Sequence, residues 1–162
     1  MAENLIISQE ADKKARYEML LPQLQALIDP EVGAIANVGN LIAAMRQTFD
    51  WWWIGLYMVR DNMLELGPFQ GPIACTRIAH GKGVCGHAWA SASTVLVTNV
   101  DEFPGHIACS SASKSEIVIP IWQADQVIGV LDVDSQYLND FDAIDQHHLE
   151  IVAGFISKCY GQ

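Results

Sequence analysis

The chain has 162 residues, 51% hydrophobic and 17% charged, the composition of one folded domain with a sizeable core rather than of a disordered segment. Nineteen acidic residues against nine basic ones give a formal charge of −10, and no Lys/Arg cluster offers the basic face that nucleic acid or an anionic membrane surface requires. No apolar run approaches a membrane span and the N-terminus lacks the layout of a signal peptide. The expectation is a single cytoplasmic domain over residues 1–162 whose partners are small molecules, other proteins or further copies of itself.

From about residue 9 to 29, Tyr17, Leu20, Leu21, Leu24, Leu27 and Ile28 form a helical stripe, and Pro22 is expected to kink it or to start a new helix. A second helix is predicted over 31–49, with Ile35, Val38, Ile42, Met45 and Phe49 on one face. The aromatic and β-branched run 51–59 (WWWIGLYMV) then reads as a strand that turns at Asp61 and Asn62 toward a second strand at 63–66. Alternation along it sends Trp52 away from the face shared by Trp51 and Trp53. Residues 67–82 are predicted as loop, 84–91 as a short helix, 94–98 as a strand and 99–114 as a second long loop. A hairpin over 115–122 and 126–134 follows, and a helix over 140–159 closes the chain, capped by Asn139 or Asp140. Ile144, His148, Ile151, Val152 and Phe155 are its expected buried face. Antiparallel strands flanked by terminal helices make an α+β domain.

Strand alternation carries the first functional hint. Ile117, Ile119 and Ile121 share one face of their strand, while Glu116 and Val118 share the other; in the next strand Ile128, Val130, Asp132 and Asp134 lie opposite Val127, Gly129, Leu131 and Val133. If the isoleucines cover the helices, Glu116, Asp132 and Asp134 converge on the other face beside aromatic residues of 51–57. Three carboxylates in one space repel unless a cation joins them or one keeps a proton, so the pocket suits an ammonium-bearing ligand or a general acid. The alternative is three solvated strand-end acids. The four cysteines, Cys75, Cys85, Cys109 and Cys159, contain no CxxC pair, which removes the thioredoxin-like and zinc-ribbon signatures. Each is a core filler, a metal ligand or a nucleophile on this ground alone.

The stretches GKGVCGHAW (81–89), FPGHIACSSASKSEIVIPI (103–121) and VIGVLDVDS (127–135) resemble the free methionine-(R)-sulfoxide reductases, and the resemblance extends over nearly the whole chain. It implies a single GAF-like catalytic domain: a central antiparallel sheet with N- and C-terminal helices packed on one face and long loops covering a ligand pocket on the other. It implies that Cys109 is the principal reactive cysteine and that Cys85 and Cys75 form or relay the disulfide, either of them being the direct partner. Glu116, Asp132 and Asp134 match the acidic residues around the substrate, and Trp53 and Tyr57 match aromatic pocket residues. His87, after GVCG, stands where a small residue is more usual, and Cys159 has no counterpart in the motifs.

The implied chemistry is thiolate attack of Cys109 on the sulfoxide sulfur, release of methionine, a sulfenic acid, and a disulfide recycled by thioredoxin or a similar dithiol. No cofactor and no metal is expected. A free ammonium on the substrate would explain a preference for the free amino acid. A homodimer is expected from the apolar surface of the N-terminal helices and the WWW segment. Two other readings use the same residues. One is a non-enzymatic GAF-type small-ligand or redox sensor; the other is a zinc protein built on Cys75, Cys85, Cys109 and a histidine.

Overall fold

The computed structural model describes residues 4–8, 10–105 and 112–161. Among these, six strands and four α-helices run in the order α1 (Lys13–Leu27), α2 (Ala34–Phe49), β1 (Trp53–Arg60), β2 (Met63–Gln70), β3 (Arg77–Ala79), α3 (Gly83–Ser91), β4 (Val95–Val97), β5 (Ser115–Gln123), β6 (Gln126–Ser135) and α4 (Ala143–Tyr160). The strands form one antiparallel sheet in the order β3-β2-β1-β6-β5-β4. Two tight hairpins build its centre. Asp61 and Asn62 both adopt positive φ, which a two-residue turn matched to the strand twist demands.

Alternation then sorts the side chains. Ile117, Ile119, Ile121, Leu131 and Val133 join Tyr17, Leu20, Leu24, Leu41, Ile42, Met45 and Leu149 in one buried core between the sheet and α1, α2 and α4. Val118, Val130, Trp53 and Tyr57 belong to a second cluster on the opposite face, closed by α3. The expected α+β arrangement, helices on one face and pocket on the other, is what the chain adopts.

Several local expectations are corrected. Helix α1 runs unbroken through Pro22, because Leu20 and Leu24 on either side of it are fully buried and tertiary packing outweighs the lost hydrogen bond. Segment 67–82 is not all loop: β2 continues to Gln70, and β3 pairs with its start. Between Gly55 and Tyr57 the register slips, so that Pro68 sits in the irregular stretch where a missing N–H does least harm. Ile35 is 73% exposed rather than on the buried face of α2. A second register shift opposite Ile121 and Trp122 leaves Ile128 packed on the helix side.

Helix α4 begins at Ala143, later than expected, with Asp142 as its cap in a capping box closed by Asp145. The box is also the anchor for α1. Lys13 Nζ reaches Asp145 Oδ2 at 2.5 Å, Asp142 Oδ2 at 3.0 Å and the Asp140 carbonyl at 2.9 Å, while Tyr17 donates to Asp145 Oδ1 at 2.9 Å. Leu149, Val152, Ile156 and Cys159 form the buried face of α4, with Ile144, Ile151 and Phe155 only half-buried because the helix is rotated relative to the expected stripe.

Candidate active site

The pairing of β1, β6 and β5 brings the acidic residues together. Glu116 lies opposite Asp134, Asp134 opposite Trp53, and Asp132 opposite both Gly55 and Val118. Their side chains enter the pocket on the α3 face, which Trp53, Tyr57, Cys85 and Ser113 also line. Trp53 stacks on Phe69 and Tyr57, and its Nε1–H donates to the Pro72 carbonyl at 3.1 Å. Tyr57 donates its hydroxyl to the Cys75 carbonyl at 3.0 Å. Both aromatic residues therefore satisfy their polar atoms within the protein and present ring faces to the pocket.

Cys85 is a free, buried thiol in the first turn of α3, and its Sγ points at Glu116 Oε1 at 3.9 Å. One donor atom from each of Cys85, Glu116 and Asp132 falls within 4.8 Å of the others. Asp132 Oδ1 is buried with no hydrogen-bond partner. An oxygen in that position is costly unless a proton or a cation meets it.

The electrostatics follow from this crowding. Burial, then the Asp132 and Asp134 carboxylates, push Glu116 well above the ordinary carboxylate range. Burial and Asp134 do the same to Asp132. Asp134 is raised by desolvation to about 6, against which the Ser113 hydroxyl, donated to Oδ1 at 2.5 Å, acts to lower it. Burial, followed by Asp132 and Glu116, holds the Cys85 thiol well above its usual value, so Cys85 rests as S–H. The set as a whole holds protons more tightly than isolated carboxylates do.

The structure thus brings together Glu116, Asp132, Asp134, Trp53, Tyr57 and Cys85. Cys75 is engaged in a disulfide, whereas Cys85 and Cys159 are free. A disulfide-bonded Cys75 cannot serve as a zinc thiolate in this state. The Cys85, Glu116 and Asp132 group could hold a metal ion, but tetrahedral zinc draws sulfur and oxygen donors to about 3.5 Å of one another, closer than is seen here. Cys109 and His106 lie outside the described residues. Cys159 belongs to the helix-side core, on the face of the sheet opposite the pocket. His87 is exposed and packs edge-on to Phe103, with ring centroids 5.7 Å apart.

Trp52 and Ser113 are among the pocket residues missed from sequence. Trp52 lines the pocket, and Trp51, not Trp52, turns away into the helix-side core. Strand β1 begins only at Trp53, so alternation does not govern Trp51 and Trp52. With Trp51 and Trp53 buried and Trp52 half-buried, the WWW segment offers little of the apolar surface expected for pairing. Ser113 was passed over as one small residue among several, although its place two residues before a strand signals a bridge between loop and sheet.

This layered sheet with a ligand pocket under α3 is a GAF domain, and residues 38–158 match the GAF domain family. Among curated proteins the chain is 54% identical to GAF domain-containing protein A of Dictyostelium discoideum, over 92% of the chain and 94% of that protein. It is 40% identical to the free methionine-R-sulfoxide reductase of Escherichia coli, over 91% and 90%. The crystal structure of free methionine-R-sulfoxide reductase from Neisseria meningitidis in complex with its substrate superposes with a TM-score of 0.94 at 45% identity, covering 98% of this chain and 95% of that one. The chain belongs to the free methionine-R-sulfoxide reductases, oxidoreductases of the GAF-domain family.

Proposed function

We propose that the protein reduces free L-methionine-(R)-sulfoxide to L-methionine, with Cys109 as nucleophile and Cys75 as the cysteine that closes the disulfide. The observation that carries this is the convergence of Glu116, Asp132 and Asp134 on an aromatic-walled pocket beside Cys85 and the disulfide-bonded Cys75. The substrate's ammonium meets the carboxylates, and the Trp53 and Tyr57 rings hold its methyl and methylene groups.

Cys109 thiolate attacks the sulfoxide sulfur while a protonated carboxyl of the set, Glu116 first, delivers a proton to the oxygen. The S–O bond transfers its oxygen to Cys109, leaving methionine and a cysteine sulfenic acid. The Cys75 thiol then attacks the sulfenic sulfur, and water leaves as the disulfide forms. An external dithiol of the thioredoxin type restores both thiols and is itself oxidised. Cys85 donates its S–H toward Glu116 throughout and steadies the acid rather than exchanging electrons. No metal or organic cofactor enters. Pairing of two copies would use exposed apolar residues at the start of α2, Val32 and Ile35, and light scattering tests that.

The test is NADPH consumption with thioredoxin and thioredoxin reductase, comparing free R and S epimers, an N-acetylated substrate and Cys109→Ser. Turnover of the free R epimer alone, lost in Cys109→Ser, is the expected result. Saturable binding of the R epimer without turnover would instead make the protein a ligand sensor.

A further inference from the structure

The three carboxylates differ in one respect that the reaction needs. Asp134 Oδ1 accepts a 2.5 Å hydrogen bond from Ser113, while Asp132 Oδ1 is buried without a partner and Glu116 Oε1 faces a thiol 3.9 Å away. A hydroxyl donor favours the ionised form of the carboxylate it serves; an unpartnered buried oxygen favours the neutral form. Ser113 is itself buried, 5% exposed, and its placement is set by the main chain. The next residue, Lys114, donates its N–H to the Ser135 carbonyl at 2.7 Å and accepts from Val100 N–H at 3.0 Å. The backbone is thus pinned on both sides, and the Ser113 hydroxyl serves the pocket rather than its own chain.

Resting on the function proposed above, we propose that Ser113 is a positioning residue. Its hydroxyl keeps the negative charge on Asp134 for the substrate's ammonium and leaves the proton of the set on the Glu116 and Asp132 pair, where the sulfoxide oxygen is met. One acidic cluster then performs two opposed tasks, because a hydroxyl donates to Asp134 whereas a weaker thiol donor faces Glu116. Four sequence positions separate Ser113 from Cys109, so the residue that orients the charge also closes the segment carrying the nucleophile. Among the described residues, the titratable and charged groups that line the pocket with Asp134 are Glu116 from β5, Asp132 from its own strand, Tyr57 from β1, and Cys85 and Lys82 from α3 and its start. The Ser113 hydroxyl donates the hydrogen bond that lowers the proton affinity of Asp134.

The experiment reads Asp134 directly. Carbon-13 NMR of the carboxyl groups in the reduced, ligand-free protein follows its titration in wild type, Ser113→Ala and Ser113→Thr. In Ser113→Ala the midpoint moves to higher pH by about one pH unit, and in Ser113→Thr, which keeps the hydroxyl, it returns. In parallel, the acidic limb of kcat/KM for the free R epimer moves the same way. At about pH 6.5, midway between the two midpoints, the ionised fraction of Asp134 falls and KM rises roughly threefold while kcat changes little. An unmoved midpoint in Ser113→Ala overturns the proposal, even if activity or melting temperature falls, because that pattern is structural. A midpoint that moves as expected in a protein that turns over no sulfoxide would uphold the charge assignment and refute the catalytic reading on which it was built.

Discussion

Tyr57 and Cys75 are joined across the pocket wall: the phenolic hydroxyl, on a residue buried in the second core, donates to the Cys75 carbonyl at 3.0 Å. A disulfide-bonded cysteine in the connection between β2 and β3 is thereby tied to a rigid strand. Tyr57→Phe keeps the ring and removes the tie, so substrate binding should survive while disulfide closure slows. We expect kcat to fall roughly five- to tenfold, the equivalent of one hydrogen bond of about 1 kcal/mol, with KM within a factor of two or so. Trapping of the sulfenic acid by dimedone should increase. A rise in KM with no added trapping would mean that the hydroxyl contacts the substrate instead.

The carboxylate cluster opposes folding at neutral pH. Asp134 has its proton affinity raised from 3.8 to about 6, so its contribution to stability is present below pH 3.8 and lost as pH rises through 6. Asp134→Asn removes this loss. The variant should be more stable than wild type at pH 8, by at most about 3 kcal/mol and less in proportion to the solvent that reaches a half-buried side chain, and the gain should fade toward pH 4. Thermal melts at the two pH values decide it; a gain that does not vary with pH would come from packing. Binding of the free sulfoxide should be lost in the same variant.

Gly55 is the floor beneath Trp53. A methyl group there would overlap the Trp53 ring and lie 2.5 Å from Phe69 Cβ. Gly55→Ala must displace the indole toward the carboxylates, so KM for the sulfoxide should rise by about tenfold or more, with a stability loss of about 1–3 kcal/mol. Quenching of tryptophan fluorescence by acrylamide should increase as Trp53 leaves its stack. Unchanged KM would show that the ring does not form part of the binding surface.

At the far side of the sheet, the Lys13, Tyr17 and Asp145 network is structural. Asp145 is 1% exposed and accepts from both Lys13 and Tyr17. Tyr17→Phe should cost about 1 kcal/mol, and Asp145→Ala about 3 kcal/mol or more because Lys13 loses its buried partner. In both, kcat and KM of the folded fraction should match wild type. Urea melts set against kinetics below the transition test this separation.

The sheet's two faces were legible in the sequence because period-two alternation in 115–121 and 129–134 is nearly uninterrupted there. Glu116, Asp132 and Asp134 were assigned together on that basis, and the structure places them in one pocket. The same rule misled at Trp52 because it was applied outside the strand, and at Ile128 because an inserted residue resets the phase. Strand β3 was illegible: three residues between Pro, Gly and Thr carry no periodicity, and it exists because the edge of β2 is available to pair. Helix α1 continued through Pro22 because burial of its neighbours, a tertiary effect, decided the matter. Ser113 could be valued only once Asp134 was seen to face it. Which cysteine the disulfide uses depends on distances through folded space, which spacing in the chain does not encode.

At Glu116–Ile117 in β5 and along Leu131–Asp134 in β6, charged and apolar residues alternate, so the elements that bury the domain's apolar mass are the elements that present its chemistry. This has a consequence for how such a protein can change over generations. A single substitution at Glu116, Asp132 or Asp134 can retune ligand preference while Ile117, Leu131 and Val133 keep the scaffold intact. A one-residue insertion or deletion in either strand would exchange both faces together and lose shape and chemistry at one stroke. Innovation on this scaffold should therefore accumulate by replacement within the strands and by length variation in the connections between them.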